Sequence, residues 1–290
     1  MSTTSVTYPM VGAVVGAEKF IGANRTWTAV NASQKRFLKD HFGPCRGEVR
    51  ELRELETLAS WNAEELSQFL AAKGFPSQLD PFKDGEFGVA SVLDVLVEWL
   101  VAGTKVPIRA NGTEYSGARL TKGVSYWSAT GHKAPIAVLE TKTAGTRVCL
   151  TALAKAPKDG FDLVLKAEKI AGSASVTGGF AAVQFPMVDL NQKVDISWLK
   201  EMHTRSDDGK DWTITQAKQR TKLRMNEKGA RAQSAVEIGV RTTSIHLPKP
   251  DLIINKPFMI WFTRAGLKRP LFVGHITPED WKEPADLTTA

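Results

Sequence analysis

The feature that most limits what this chain can fold into is the stretch from Lys228 to Pro257. It joins a segment of strand character, Thr213 to Met225, which ends near Glu227, to an apolar strand, Phe258 to Phe262. A connection this long has no place in a compact domain unless it serves a function. Ala230, Ala232, Ser234, Val236, Ile238 and Val240 are small or apolar, and Arg231, Gln233, Glu237 and Arg241 fall between them, which is the period of two of a strand with one face to bury. Gly229 precedes them as a hinge, and small side chains let a strand slide between neighbours at low steric cost. If Val236, Ile238 and Val240 each gain roughly 1.5–3 kcal/mol on burial, adding the segment to a sheet releases several kcal/mol before any backbone hydrogen bond is counted. The pattern therefore describes a segment exposed in one state and added to a sheet in another.

The rest of the chain reads as a mixture of helices and strands, an α+β protein. FIGANRTWTAV, Phe20 to Val30, has the composition of a buried strand, and Asn31 and Ser33 are capping residues for an amphipathic helix, Lys35 to Phe42, closed by Gly43 and Pro44. A charged segment, Glu48 to Glu56, suits an edge strand or turn. Asn62 to Lys73 reads as a helix with Leu66, Phe69 and Leu70 on one face and Gly74 at its end. The apolar run Val89 to Val101 suits a central strand covered on both faces, within which Asp94 and Glu98 need partners. Short strands follow at Gly123 to Ser128, Ala134 to Thr141, Arg147 to Ala154 and Phe161 to Ile170, the pattern of an antiparallel sheet or barrel-like corner. Phe180 to Phe185 is a further strand, and Val194 to Met202 reads as a helix with Asp195 near its positive end.

At 290 residues, 42% hydrophobic and 24% charged, the chain is long enough for one large core, and with no internal repeat one domain over residues 1–290 is expected. The mildly apolar run Tyr8 to Ala17 is too short and too broken by glycine for a membrane span or secretion signal. The expectation is a cytoplasmic protein or a mature secreted form. Cys45 and Cys149 are far apart in sequence and in no metal-ligand pattern, so two free buried thiols are expected.

Three ordered motifs then carry a family resemblance. NEKGARAQSA, Asn226 to Ala235, resembles the hinge at the start of the serpin reactive loop, and INKPFMIWF, Ile254 to Phe262, with PLFVGHITP, Pro270 to Pro278, resembles the two closing strands of that family. VQFPMVDLNQKVDISWLKEM and IGANRTWTAVNASQKRFLKDHFG extend the likeness towards the N-terminus more weakly. The resemblance implies a fold of three antiparallel or mixed sheets with several helices, here lacking part of the N-terminal helical region, and a reactive-centre loop over about 229–254. It implies a protease inhibitor of the serpin type: a protease cleaves the loop, is acylated through its own nucleophile and is trapped as the loop inserts. The alternative it leaves open is a non-inhibitory binding protein on the same scaffold.

In that reading the chain is no enzyme and needs no cofactor. Its hinge residues are Glu227, Gly229, Ala230, Ala232, Ser234 and Val236. Counting from Gly229 puts the bait bond at Thr243–Ser244, with Arg241 the alternative for a trypsin-like protease, so the window is Arg241, Thr242, Thr243 and Ser244. The implied partner is a protease, serine or cysteine in type, with no membrane partner and a monomeric inhibitor. The chain departs from the family pattern at Gln219, where a latching histidine is usual, and at Arg231, where an acidic residue is usual. The net charge of +7 and the alternation Lys218, Arg220, Lys222, Arg224 make a polyanion a second candidate partner. His41, His132, His203, His246 and His275 have no metal-ligand spacing, and the eight tryptophans, Trp27, Trp61, Trp99 and Trp261 among them, are expected to pack in the core.

Overall fold

The computed structural model describes residues 1–22, 26–75, 79–230, 249–285 and 287. Its main scaffold is a seven-stranded sheet in the order Thr3–Ser5, Phe272–Ile276, Phe258–Arg264, Thr146–Ala152, His132–Glu140, Val124–Ala129, Ala174–Thr177, antiparallel throughout. Successive side chains on a strand point to opposite faces, and both faces of this sheet are covered. On one, Ile136, Val138, Cys149, Met259, Trp261 and Val273 pack with Leu163, Val164, Ala167 and Ile170 of a helix, Gly160–Gly172. On the other, Leu139, Leu150, Phe258, Ile260 and Phe262 enter the large core around a second helix, Thr7–Ile21. Double coverage explains why Phe258 to Phe262 reads as an unbroken apolar run instead of an alternating one.

Two expectations are corrected here. Phe161 to Ile170 is helix, because Phe161, Val164 and Ala167 recur at helical spacing and Asp159 caps the first turn by accepting the amide of Asp162 at 2.7 Å. The described residues of Phe20 to Val30 form no strand: Phe20 and Ile21 end the Thr7–Ile21 helix, which is closed by Gly22 at φ 65°, and Thr28 makes an isolated bridge to His203. The glycines that break this run are what allow it to pack. A Cβ on Gly12 would lie 2.7 Å from Ser91 Oγ, and one on Gly16 would lie 2.7 Å from Thr57 Cγ2, so the helix rests directly on the paired strands Leu55–Ser60 and Gly88–Leu93.

A four-stranded sheet, Leu252–Ile253, Val183–Pro186, Thr113–Leu120 and Thr104–Ala110, lies beside these layers. Its long hairpin turns on Asn111 and Gly112, both at positive φ, a signal the sequence carried and the strand reading passed over. The helix Ala63–Ala72 follows its expected limits, with Asn62 accepting the Glu64 amide at 2.9 Å and Gly74 at φ 77° beyond its end. Asn31 likewise caps Ala32–Phe37, and the helical path then runs on through Gly43 and Pro44 to Cys45. Val194 to Met202 is not the expected helix. Val188–Val194 is a strand, and only Ser197–Leu199 turns as a short 3-10 helix, started by Asp195 accepting the Ser197 amide. Val89 to Val101 is two strands, Gly88–Leu93 and Val97–Glu98, parted at Asp94.

Cys45 and Cys149 are free and buried. Burial raises both thiols, Cys149 to about 12 and Cys45 to about 11. Trp27, Trp99 and Trp261 are core residues, but Trp61 is 55% exposed and joins Phe20, Phe87 and Trp212 in an aromatic cluster at the surface.

Candidate functional site

Two strand pairs stand beside each other without joining. Gly88–Leu93 pairs with Leu55–Ser60, and Gln219–Met225 pairs antiparallel with Val188–Val194; among the described residues the Gly88 and Gln219 strands belong to separate sheets. Between them lies a cavity of about 720 Å³, floored by Met10, Val14 and Ala17 of the Thr7–Ile21 helix. Among the described residues the facing edges of these two strands, which bound the slot, have no strand partner, and such an edge presents a row of unpaired backbone groups.

The top of the slot is occupied by the expected hinge. Gly229 and Ala230 form a two-residue strand antiparallel to Val97–Glu98, with Gly229 opposite Glu98 and Ala230 opposite Val97. Asn226 builds the turn that reverses the chain: its side-chain oxygen accepts the amides of Lys228 at 2.9 Å and Gly229 at 3.3 Å, and its own amide donates to the Gly229 carbonyl at 2.9 Å. Trp99 then clasps the turn from across the slot. Its backbone amide donates to the Lys228 carbonyl at 3.2 Å and its indole nitrogen to the Asn226 carbonyl at 3.0 Å, while its ring sits edge-on to Phe185. Glu227, 9% exposed, accepts the Gly103 amide through its backbone carbonyl at 2.7 Å. Asn226, Trp99 and Gly103 are site residues that the sequence reading missed. The N-x-x-G turn was visible in it, and the clasp by Trp99 was not.

The two acidic residues of the Val89 to Val101 run have partners. The Glu98 carboxylate pairs with Lys142, whereas the bond from Asp94 to Glu54, at 3.0 Å, is one between backbone groups. Gln219, at the expected latch position, donates to the Val6 carbonyl at 3.4 Å, tying the Gln219 strand to the start of the central helix. Of the basic row, Lys218 pairs with Asp80 at 3.4 Å and Arg224 with Asp189 at 3.7 Å. Lys222 reaches the Gly74 carbonyl and lies 5.1 Å from the centre of the Phe75 ring. Ala232, Ser234, Val236, the window Arg241 to Ser244 and His246 lie outside the described residues. After them the chain returns at Asp251, gripped by Arg119 at 2.6 and 3.1 Å and by Gln184 at 2.7 Å. Arg119 holds the Asp251 carboxyl below the usual range. Among the described residues no group of histidine, cysteine and carboxylate side chains is arranged to hold a metal.

No family model and no curated protein sequence matches the chain. Solved structures do. A serpin from the trematode Schistosoma haematobium superposes with a TM-score of 0.58 at 10% identity, over 95% of this chain and 93% of that one. The chain adopts the serpin fold. Human kallistatin gives a TM-score of 0.59 at 9% identity over 98% of this chain and 92% of the other, and human thyroxine-binding globulin complexed with thyroxine gives 0.58 at 10% over 98% and 93%. At such identities the likeness to serpins is one of fold. Within that fold, Gly229 stands at the mouth of the slot, and none of the described strands fills it.

Proposed function

We propose that this chain is a protease inhibitor of the serpin type, which offers the segment after Gly229 as bait and traps the acylated protease by drawing that segment into the slot. The observation that carries the reading is the gap between the Gly88 and Gln219 strands, bridged by no described strand and entered at its top by Gly229–Ala230 in antiparallel pairing. Continued in that direction, the alternation from Ala230 to Val240 would set its small and apolar side chains over the apolar floor. In this reading Glu227, Gly229, Ala230, Ala232, Ser234 and Val236 form the hinge and the first inserted residues. The bait bond lies within Arg241 to Ser244, and the protease supplies the chemistry, the chain having no catalysis of its own.

Incubation of the full chain with a trypsin-like and a chymotrypsin-like serine protease, and with a papain-type cysteine protease, tests this directly. A complex that survives denaturing electrophoresis, with the junction located by intact mass within Arg241 to Ser244, is the expected result. Clean cleavage with no complex and no gain in thermal stability would overturn it.

A non-inhibitory binding protein is the second reading, favoured by one observation: the solved structures of this fold include thyroxine-binding globulin with thyroxine bound. The polyanion reading of the basic row has less support, because Lys218, Lys222 and Arg224 are engaged by Asp80, Gly74, Phe75 and Asp189.

A further inference from the structure

In the register of the Val188 and Gln219 strands, Lys193 stands directly opposite Arg220. Like charges facing one another across an antiparallel pair destabilise it. Two pairs further along the same strand face, Asp189 and Arg224 are complementary, whereas Lys193 and Arg220 have no ion pair among the described residues. Both line the slot. The acidic side chains that share this lining are Asp195, whose carboxylate accepts the Ser197 amide, and Asp94. One residue beyond Arg220, and so on the opposite face of the strand, Thr221 is 4% exposed and lines the same cavity, and its hydroxyl has no hydrogen-bond partner among the described residues.

We propose that the slot binds an amphipathic anion, a medium- or long-chain carboxylate. Its hydrocarbon tail lies over Met10, Val14 and Ala17, and its head group is held by Lys193 and Arg220. The volume of about 720 Å³ falls within the roughly 300–1,000 Å³ of small-molecule sites. The choice of ligand follows by elimination. An uncharged hydrocarbon leaves the two facing cations uncompensated, and a small inorganic anion leaves the apolar volume unfilled. A molecule with both parts uses both features. The site stands on the cavity and its charges, and does not require that the loop inserts; where both hold, a filled slot excludes the strand and the ligand slows trapping.

The test is isothermal titration calorimetry of the full chain with sodium decanoate, 1-decanol and inorganic phosphate. Decanoate is expected to bind saturably at one site and more tightly than decanol, with no binding of phosphate. The double variant Lys193→Gln, Arg220→Gln is expected to weaken decanoate roughly tenfold or more, since each lost contact is to a charged group, and to leave decanol unchanged. Ala13→Phe, which fills the cavity from the helix side, is expected to abolish both. Equal affinity for decanoate and decanol, full affinity in the double variant, or no saturable decanoate binding overturns the proposal. The double variant replaces one exposed and one half-buried side chain and leaves the core untouched, so the test remains decisive if Ala13→Phe does not fold. Protease trapping is not part of this readout, so a failure here leaves the proposed function standing, and the reverse also holds.

Discussion

Gly229 meets Val97 so closely that a Cβ on the glycine would lie 2.5 Å from the Val97 carbonyl oxygen and 3.0 Å from Glu98 Cα. The requirement for glycine at this hinge is therefore one of close backbone approach across the slot.

Gly229→Ala is expected to push the hinge off the Val97 strand and to cost about 1–3 kcal/mol, the usual range for overpacking. Because the Trp99 indole donates to Asn226 in the same clasp, its fluorescence should shift to the red as the contact loosens. Thermal denaturation with tryptophan emission checks both. An unchanged melting point and unchanged emission would mean that the clasp does not form in solution.

Cleavage within Arg241 to Ser244 frees the segment to enter the slot. Burial of Val236, Ile238 and Val240 at roughly 1.5–3 kcal/mol each corresponds to a rise in Tm of roughly 7–15 °C for a chain of this size. Scanning calorimetry of the intact and cleaved protein measures it. A cleaved form that melts with the intact one removes the energetic basis for trapping.

Asp251 ties the returning chain to Arg119 and Gln184. Asp251→Asn removes the ion pair and should cost about 1–3 kcal/mol. The Asp251 pKa is depressed, first by its hydrogen bond from Arg119, so its contribution is complete above the unfolded pKa of about 3.9 and is lost as pH falls through the lower folded value. Urea denaturation at neutral pH and at about pH 2–3 should show a wild-type advantage that shrinks in acid.

His41 is 1% exposed, stacks on Phe161 and has no hydrogen-bond partner at either ring nitrogen among the described residues. Burial first, and then the nearby Arg269, lower its pKa to about 4. Folding holds it neutral, so the unfolded chain takes up the proton first as pH falls below the ordinary value of about 6.5. Stability is then lost progressively down to about pH 4, by about 3 kcal/mol in all. His41→Leu should flatten this part of the stability profile, and a profile unchanged by the substitution would refute the assignment.

Local chemistry made several elements legible in the sequence. Asn62 and Gly74 mark a helix because a side-chain oxygen and a left-handed glycine satisfy its ends wherever it sits. The closing strands around Phe258 and Phe272 were visible as apolar runs. The misread elements failed for identifiable reasons. Phe161 to Ile170 contains enough apolar residues to pass for a strand unless its spacing is weighed against Asp159 as a cap. Thr7–Ile21 was obscured by glycines that make sense only against Ser91 and Thr57, residues far away in the chain.

The sequence by itself determined the closing strands and the capped helix Ala63–Ala72, because period and caps act through the backbone of their own neighbourhood; the alternation after Gly229 lies outside the described residues. Only the tertiary structure decided that the Gly88 and Gln219 strands leave a slot between them, that Trp99 clasps the hinge and that Lys193 faces Arg220 over an apolar cavity. Those are relationships between strands distant in sequence, set by which edges meet when the sheets pack on the Thr7–Ile21 helix, and no local pattern carries that information.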